Sequence, residues 1–204
     1  MYKKIIVFEG VDGTGKSYHI NQVAKFLKSK KIKFIKFREP GGSSNSEIIR
    51  KIILKNNSSL SKESDLLLYL AARKENYDKL IKPNLKKKII LIDRFVDSTI
   101  AYQHYGQKIN LKLINNLNNF VLKGLTISHT FLLKIDKKNL KKRLKRKNKN
   151  RYDSFDIKFY TSVQNGYIKL LKKNFTKYTL INSNLPKNIN EKLVLSKISK
   201  IIKK

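Results

Sequence analysis

The chain has 204 residues, 40% of them hydrophobic, no cysteine and a formal net charge of +33. That is enough apolar material for one substantial core, and the lack of cysteine excludes disulfide staples and thiolate metal sites. No run approaches the roughly 18 apolar residues of a membrane span, and no small-residue cleavage site follows the opening KKIIVF, so a cytoplasmic protein without a membrane partner is expected.

The first strand is predicted at KIIVFEG (4–10), a short β-branched and aromatic run ending in glycine. SYHINQVAKFLKSKK (17–31) then places Ile20, Val23, Ala24 and Leu27 at helical spacing. Between them Gly10, Gly15, Lys16 and Ser17 fit G-x-x-x-x-G-K-[ST], a loop whose backbone N–H groups surround phosphate oxygens at a helix N-terminus. Gly10, Val11, Asp12, Gly13, Thr14, Gly15, Lys16 and Ser17 are therefore the candidate nucleotide-binding residues, with Lys16 for the β/γ-phosphates and Ser17 for Mg²⁺. The loop carries a carboxylate, Asp12, and no arginine.

A second strand, IKFIKF (32–37), ends before Glu39-Pro40-Gly41-Gly42, where proline and glycine stop regular structure. Helices are predicted at about 43–54 and 62–81. KIILID (88–93) is the third strand, with Asp93 and Arg94 at its carboxyl end, and HTFLLKI (129–135) and KYTLIN (177–182) are the fourth and fifth. Further helices are predicted near 110–123, 137–147, 156–173 and 189–202. Continuous apolar strands joined by helical segments predict an α/β phosphate-loop (P-loop NTPase) fold in one domain. Its five-stranded parallel sheet is covered by helices on both faces. Ligands of such folds sit beyond the carboxyl ends of the strands, where 10–17, 38–42 and 93–95 meet on one rim.

Asp93 emerges there from four apolar residues, Ile89 to Ile92, as the second candidate Mg²⁺ group, and Glu9 is expected to support the same water network. Arg38, Arg50, Arg73 and Arg94 stand out where lysine is the commoner cation. Arginine's planar fork grips phosphate at two points, so together they suggest a second phosphate. The lysines are spread along the chain rather than gathered in a stripe, which argues for compositional bias and attraction of small anions over a stable nucleic-acid partner. His19, His104 and His129 are scattered and form no zinc pattern.

FEGVDGTGKS (8–17), REPGG (38–42), SEIIRKIIL (46–54), LLYLAARKEN (67–76), IKPNL (81–85), DRFVDSTIAYQ (93–103) and RYDSFDIKFYTSVQNGYIKL (151–170) occur in this order. This series resembles thymidylate kinase, which phosphorylates dTMP to dTDP, over essentially the whole chain. The resemblance implies ATP and Mg²⁺ as cofactors, dTMP and ATP as substrates, and a homodimer. It implies that Asp12 reaches the sugar 3′-hydroxyl, that Arg94 and Arg50 hold the dTMP phosphate, and that Arg38 lies near the same end. By the same resemblance Tyr69 stacks on thymine, Arg73 bonds O4, Thr99 faces N3, and Tyr102 crowds the 2′ position and sets the deoxyribose preference.

Gly13 follows Asp12, which resembles the bacterial arrangement in which a mobile lid, not the phosphate loop, supplies the catalytic arginine. The lid is expected at approximately 141–156 and contains Arg143, Arg146 and Arg151. The family stretch reads approximately G-E-L-D-R-x-E; here NKNRYD puts Asn150 in place of the aspartate and Asp153 in place of the glutamate. Arg151 is the first choice because its spacing to Phe159 is preserved, with Arg146 or Arg143 second. A deoxynucleoside kinase is the alternative reading. Arg38, Arg50 and Arg94 weigh against it, because a nucleoside acceptor has no phosphate to clamp.

Overall fold

The computed structural model describes residues 4–144 and 151–203. In chain order these form β1 (Ile5–Glu9), α1 (Lys16–Ser29), β2 (Phe34–Arg38), α2 (Ser44–Leu54) and α3 (Lys62–Asn76), which runs through a π-helical stretch, Tyr77–Ile81, into α4 (Lys82–Asn84). Next come β3 (Ile89–Asp93), α5 (Val96–Thr99) with a π-helical continuation, Ile100–Gly106, then α6 (Leu111–Leu122), β4 (His129–Lys134) and α7 (Lys137–Leu144). A 3₁₀ turn, Arg151–Ser154, precedes α8 (Ile157–Lys173), and a second, Phe175–Lys177, leads to β5 (Tyr178–Asn182) and α9 (Lys187–Lys203).

The five strands form the parallel sheet expected, in the order β2-β3-β1-β4-β5. β1 is central and buried throughout, because helices cover both faces and no side of the strand meets water. Alternate residues face opposite ways. Ile5, Val7, Ile90 and Ile92 pack against Leu66 and Leu70 of α3 and Ile114 of α6. Ile6, Phe8, Leu91 and Phe131 pack against Ile20, Val23 and Leu27 of α1 and Val194 and Ile198 of α9. A third cluster, with Val11, Tyr102, Tyr152, Tyr160 and Tyr167, lies under the carboxyl rim.

The predicted helix over 62–81 is regular only to Asn76. Pro83 has no N–H to offer the carbonyl of Lys79, and the turn before it opens so that Lys82 N donates to Tyr77 O five residues back. The predicted helix over 137–147 is described as far as Leu144, and 145–147 lie outside the described residues. α8 crosses the π-helical stretch closely: a Cβ on Gly166 would stand 2.4 Å from the Tyr105 ring. Among the described residues no helix is long and apolar enough to cross a membrane.

Candidate active site

The phosphate loop turns sharply between β1 and α1. Gly10 has φ +133°, and a Cβ there would lie 2.3 Å from the backbone oxygen of Leu133, so only glycine fits. Thr14 Oγ1 donates to Val11 O (2.8 Å), closing the loop on itself. Lys16 bends back over the loop and donates to Gly10 O (2.9 Å) and Val11 O (3.0 Å). Burial, reinforced by the Arg94 charge and opposed by Asp93, Asp12 and Glu9, brings its pKa down to about 8. Ser17, exposed at the start of α1, donates to Asp93 Oδ2 (3.1 Å).

Arg94 sits at positive φ directly after β3. Its guanidinium donates to Asp12 Oδ1 (2.9 Å), Tyr167 Oη (3.2 Å) and Ser98 Oγ (3.3 Å), and lies 5.2 Å from the Tyr102 ring centre. Glu9 is fully buried beneath it. Its carboxylate accepts from Phe95 N (2.8 Å), Ser98 N (3.3 Å), Ser98 Oγ (2.5 Å) and Tyr167 Oη (3.2 Å), so both oxygens are engaged by protein donors. Burial raises its pKa, against the pull of Ser98 and Arg94.

The loop after β2 carries the opposite wall. Glu39 is buried and pairs with Arg73 Nε at 2.7 Å. Arg73 also donates to Thr99 Oγ1 (2.9 Å) and Asn118 Oδ1 (2.6 Å) and lies over the Phe95 ring. Asn76 holds the loop by donating to Gly41 O (2.7 Å) and accepting from Ser43 N (3.0 Å). Arg50 donates to Pro40 O (2.8 Å), and the exposed Arg38 pairs with Glu47 at 3.4 Å.

Two adjoining cavities result. The first has a cavity volume of about 100 Å³, is partly open to solvent, and is walled by Tyr69, Arg73, Phe95, Thr99, Tyr102 and Tyr152 among others. The second has Gly13, Gly15, Lys16, Ser17, Arg38 and Asp93 in its wall. Asp12, Glu39, Arg50 and Arg94 border both. The arrangement juxtaposes an anion-binding loop and an aromatic, polar pocket across a shared pair of arginines.

The residues named at 12–17, 38, 50, 69, 73, 93, 94, 99 and 102 thus converge here, apart from the buried Thr14 within the loop. The expected lid arginines separate. Arg143 spans the phosphate loop, donating to Gly13 O and Ser183 O (both 2.9 Å). Arg151, the first choice from spacing, instead pairs with Asp65 at the start of α3 and borders neither cavity. Arg146 and Asn150 lie outside the described residues.

Sequence reasoning passed over Glu39, Tyr152 and Gln103. Gln103 is buried in the first cavity with an Nε2 that has no partner among the described residues. Its position in the quoted AYQ motif was the available signal. Among the described residues, no group of three or more His, Cys, Asp or Glu could hold a metal by itself.

Known proteins resemble this chain in sequence and fold. The thymidylate kinase family pattern matches residues 8–194. A thymidylate kinase of Thermosipho africanus (strain TCF52B) is 42% identical over 168 residues, covering 82% of this chain and 84% of the relative. One from Ehrlichia ruminantium (strain Gardel) is 39% identical over 190 residues, covering 91% and 92%. The crystal structure of thymidylate kinase from Ehrlichia chaffeensis superposes with a TM-score of 0.80 at 32% identity, covering 96% of this chain and 98% of that one.

Proposed function

The chain belongs to the thymidylate kinase family and catalyses ATP-dependent phosphorylation of dTMP to dTDP, and from that premise we propose how its residues divide the work. The observation that carries the assignment is the shared wall: Asp12, Arg50 and Arg94 border both the phosphate-loop cavity and the aromatic one. ATP phosphates occupy the phosphate-loop cavity and dTMP the aromatic one, so the transferred group passes in line between them without a covalent enzyme intermediate.

On the donor side the loop N–H groups and Lys16 take the β/γ-phosphate oxygens, Lys16 exchanging its two backbone carbonyl partners for them. Ser17 Oγ and the Asp93 carboxylate, 3.1 Å apart, are hard oxygen donors of the kind that Mg²⁺ takes together with phosphate oxygens. When bound, the ion neutralises charge on the phosphates. Glu9 has no oxygen left over for the ion; its role is to fix the backbone at Phe95 and Ser98, which aims Arg94. Arg143, already over the phosphate loop, replaces Arg151 as the arginine assigned to charge on the transferring group.

On the acceptor side Arg94 and Arg50 grip the dTMP phosphate, with Arg38 at the outer edge. Asp12 accepts from the 3′-hydroxyl. Tyr69 supplies the face for thymine, while Arg73, Thr99 and the Gln103 amide meet its polar edge. Tyr102 fills the space at the 2′ position, where a hydroxyl would clash. The segment 141–156 acts as a lid over one domain spanning 1–204, in a cytoplasmic enzyme. Ile48 and Ile52 of α2, Leu67 of α3 and Phe120 of α6 are exposed on helices that pack in series, and a second copy covers them in a homodimer.

A coupled assay of ADP release with dTMP, dUMP, dCMP, UMP and thymidine tests the acceptor assignment. dTMP should give the highest kcat/KM. Turnover of thymidine with dTMP inert would point instead to a deoxynucleoside kinase.

A further inference from the structure

Asp65, Tyr69 and Arg73 follow one another at single-turn spacing along one face of α3. Tyr69 and Arg73 line the acceptor cavity. Asp65 is buried at 1% exposure and holds a different part of the chain. Its Oδ1 accepts from Arg151 Nη2 and its Oδ2 from the Tyr152 hydroxyl, so one carboxylate ties down two consecutive residues just before α8.

Tyr152 is itself part of the cavity wall. Its ring meets Tyr69 edge to face at 6.2 Å and Tyr102 at 6.0 Å, and its carbonyl accepts from Tyr160 Oη at 2.9 Å. The Arg151 guanidinium lies 5.2 Å from the Tyr152 ring centre, and Arg151 lines a separate hollow with Gly106, Phe155 and Phe159. A buried carboxylate is strongly unfavourable unless paired and hydrogen-bonded. Asp65 therefore favours the docked position of residues 151–152, and undocking them would open the cavity beside Tyr69 in the same movement.

We infer that Asp65 is the anchor that holds Tyr152 as the closing wall of the acceptor-nucleotide cavity, and that Arg151 is a positioning residue acting through this pair. This rests on the assignment of that cavity to dTMP. Tyr152 excludes water from the nucleoside and steadies the Tyr69 ring that it meets edge to face, whereas Arg151 makes no contact with the transferred phosphoryl. Asp65 and Tyr152 then govern dTMP binding with little effect on the chemical step.

Steady-state kinetics with each substrate varied separate these roles. Asp65→Ala and Arg151→Met should each raise the KM for dTMP about tenfold while kcat and the KM for ATP stay within about threefold. Tyr152→Phe, which keeps the ring and loses the hydroxyl, should raise it by about three- to fivefold. Arg151→Lys can still pair with Asp65 and should recover most of the dTMP affinity. If Arg151→Lys instead lowers kcat about thirtyfold or more at unchanged dTMP KM, Arg151 touches the reacting group and the inference fails. An unchanged dTMP KM in folded Asp65→Ala also overturns it.

Should Asp65→Ala not fold by circular dichroism, hydrogen exchange on the wild type decides. Peptides covering 151–156 should gain protection with dTMP alone and not with ATP alone, and the reverse pattern refutes the anchor. Tyr69→Ala in the same assay tests the cavity assignment separately. It must weaken dTMP whether or not Asp65 anchors the wall.

Discussion

Lys16 shows how a single residue carries a measurable signature of its surroundings. The residue is 6% exposed, its ammonium is satisfied by two loop carbonyls, and its pKa stands at about 8 instead of 10.5. The charged form serves the phosphates, so kcat/KM for ATP should fall as pH rises through about 8, and a flat profile from pH 7 to 9 would exclude the assignment. Between about 8 and 10.5 the unfolded chain binds the proton that the folded chain has released, so this residue's contribution to stability rises with pH where activity falls. Lys16→Ala should cut kcat by on the order of 10²-fold with the fold retained.

Arg143 gives the complementary residue-scale prediction. Its guanidinium reaches two carbonyls, Gly13 and Ser183, at once. Lysine keeps the charge and loses that fork, so Arg143→Lys should lower kcat about tenfold or more with a smaller change in the KM for dTMP, read from initial rates. The motif spacing alone made Lys16 legible. It could not rank Arg143 above Arg151, because which of two nearby arginines reaches the loop depends on how α7 and the 151–154 turn pack.

At the scale of elements, α5 is held between the sheet and the site. Glu9 of β1 grips its first turn from below, and Asp97 accepts from Tyr178 Oη of β5 at 2.6 Å. Burial, with Glu9 nearby, raises the Asp97 pKa to about 7 from 3.8, despite the Tyr178 hydrogen bond and the Arg73 charge. Between those values the folded chain holds a proton that the unfolded chain does not, so the Asp97 contribution to stability falls as pH rises from about 4 to about 7. Asp97→Asn should remove that slope. Urea midpoints for both proteins from pH 5 to 8 check this, and parallel curves would refute it. The strands were readable from local pattern, whereas no helix was predicted between 81 and 110, and the carboxylates that join these elements were not legible either, since Glu9 and Asp97 find their partners across distant segments.

At the scale of the whole molecule, the exposed apolar side chains and the net charge act in opposite senses. Phe120 is 76% exposed and Ile48 58%, more than an isolated surface needs, while a net charge of +33 opposes association of like copies. If α2, α3 and α6 form the homodimer face, Phe120→Asp should sediment as a monomer and the wild type as a dimer whose dissociation decreases at higher salt. A monomeric wild type at micromolar concentration would remove the dimer from the proposal.

Local pattern was enough for the parallel sheet, the phosphate loop and the rim on which the motifs meet. These follow from backbone geometry and side-chain period within short stretches, and parallel strands bring their carboxyl ends to one edge whatever their order. Packing across the chain set the order β2-β3-β1-β4-β5, the commitment of both Glu9 oxygens to Phe95, Ser98 and Tyr167, and the pairing of Glu39 with Arg73. It also turned Arg143 to the loop and Arg151 to Asp65. A buried charge is stable only beside a partner, and those partners lie tens of residues away along the chain, where no local pattern reaches.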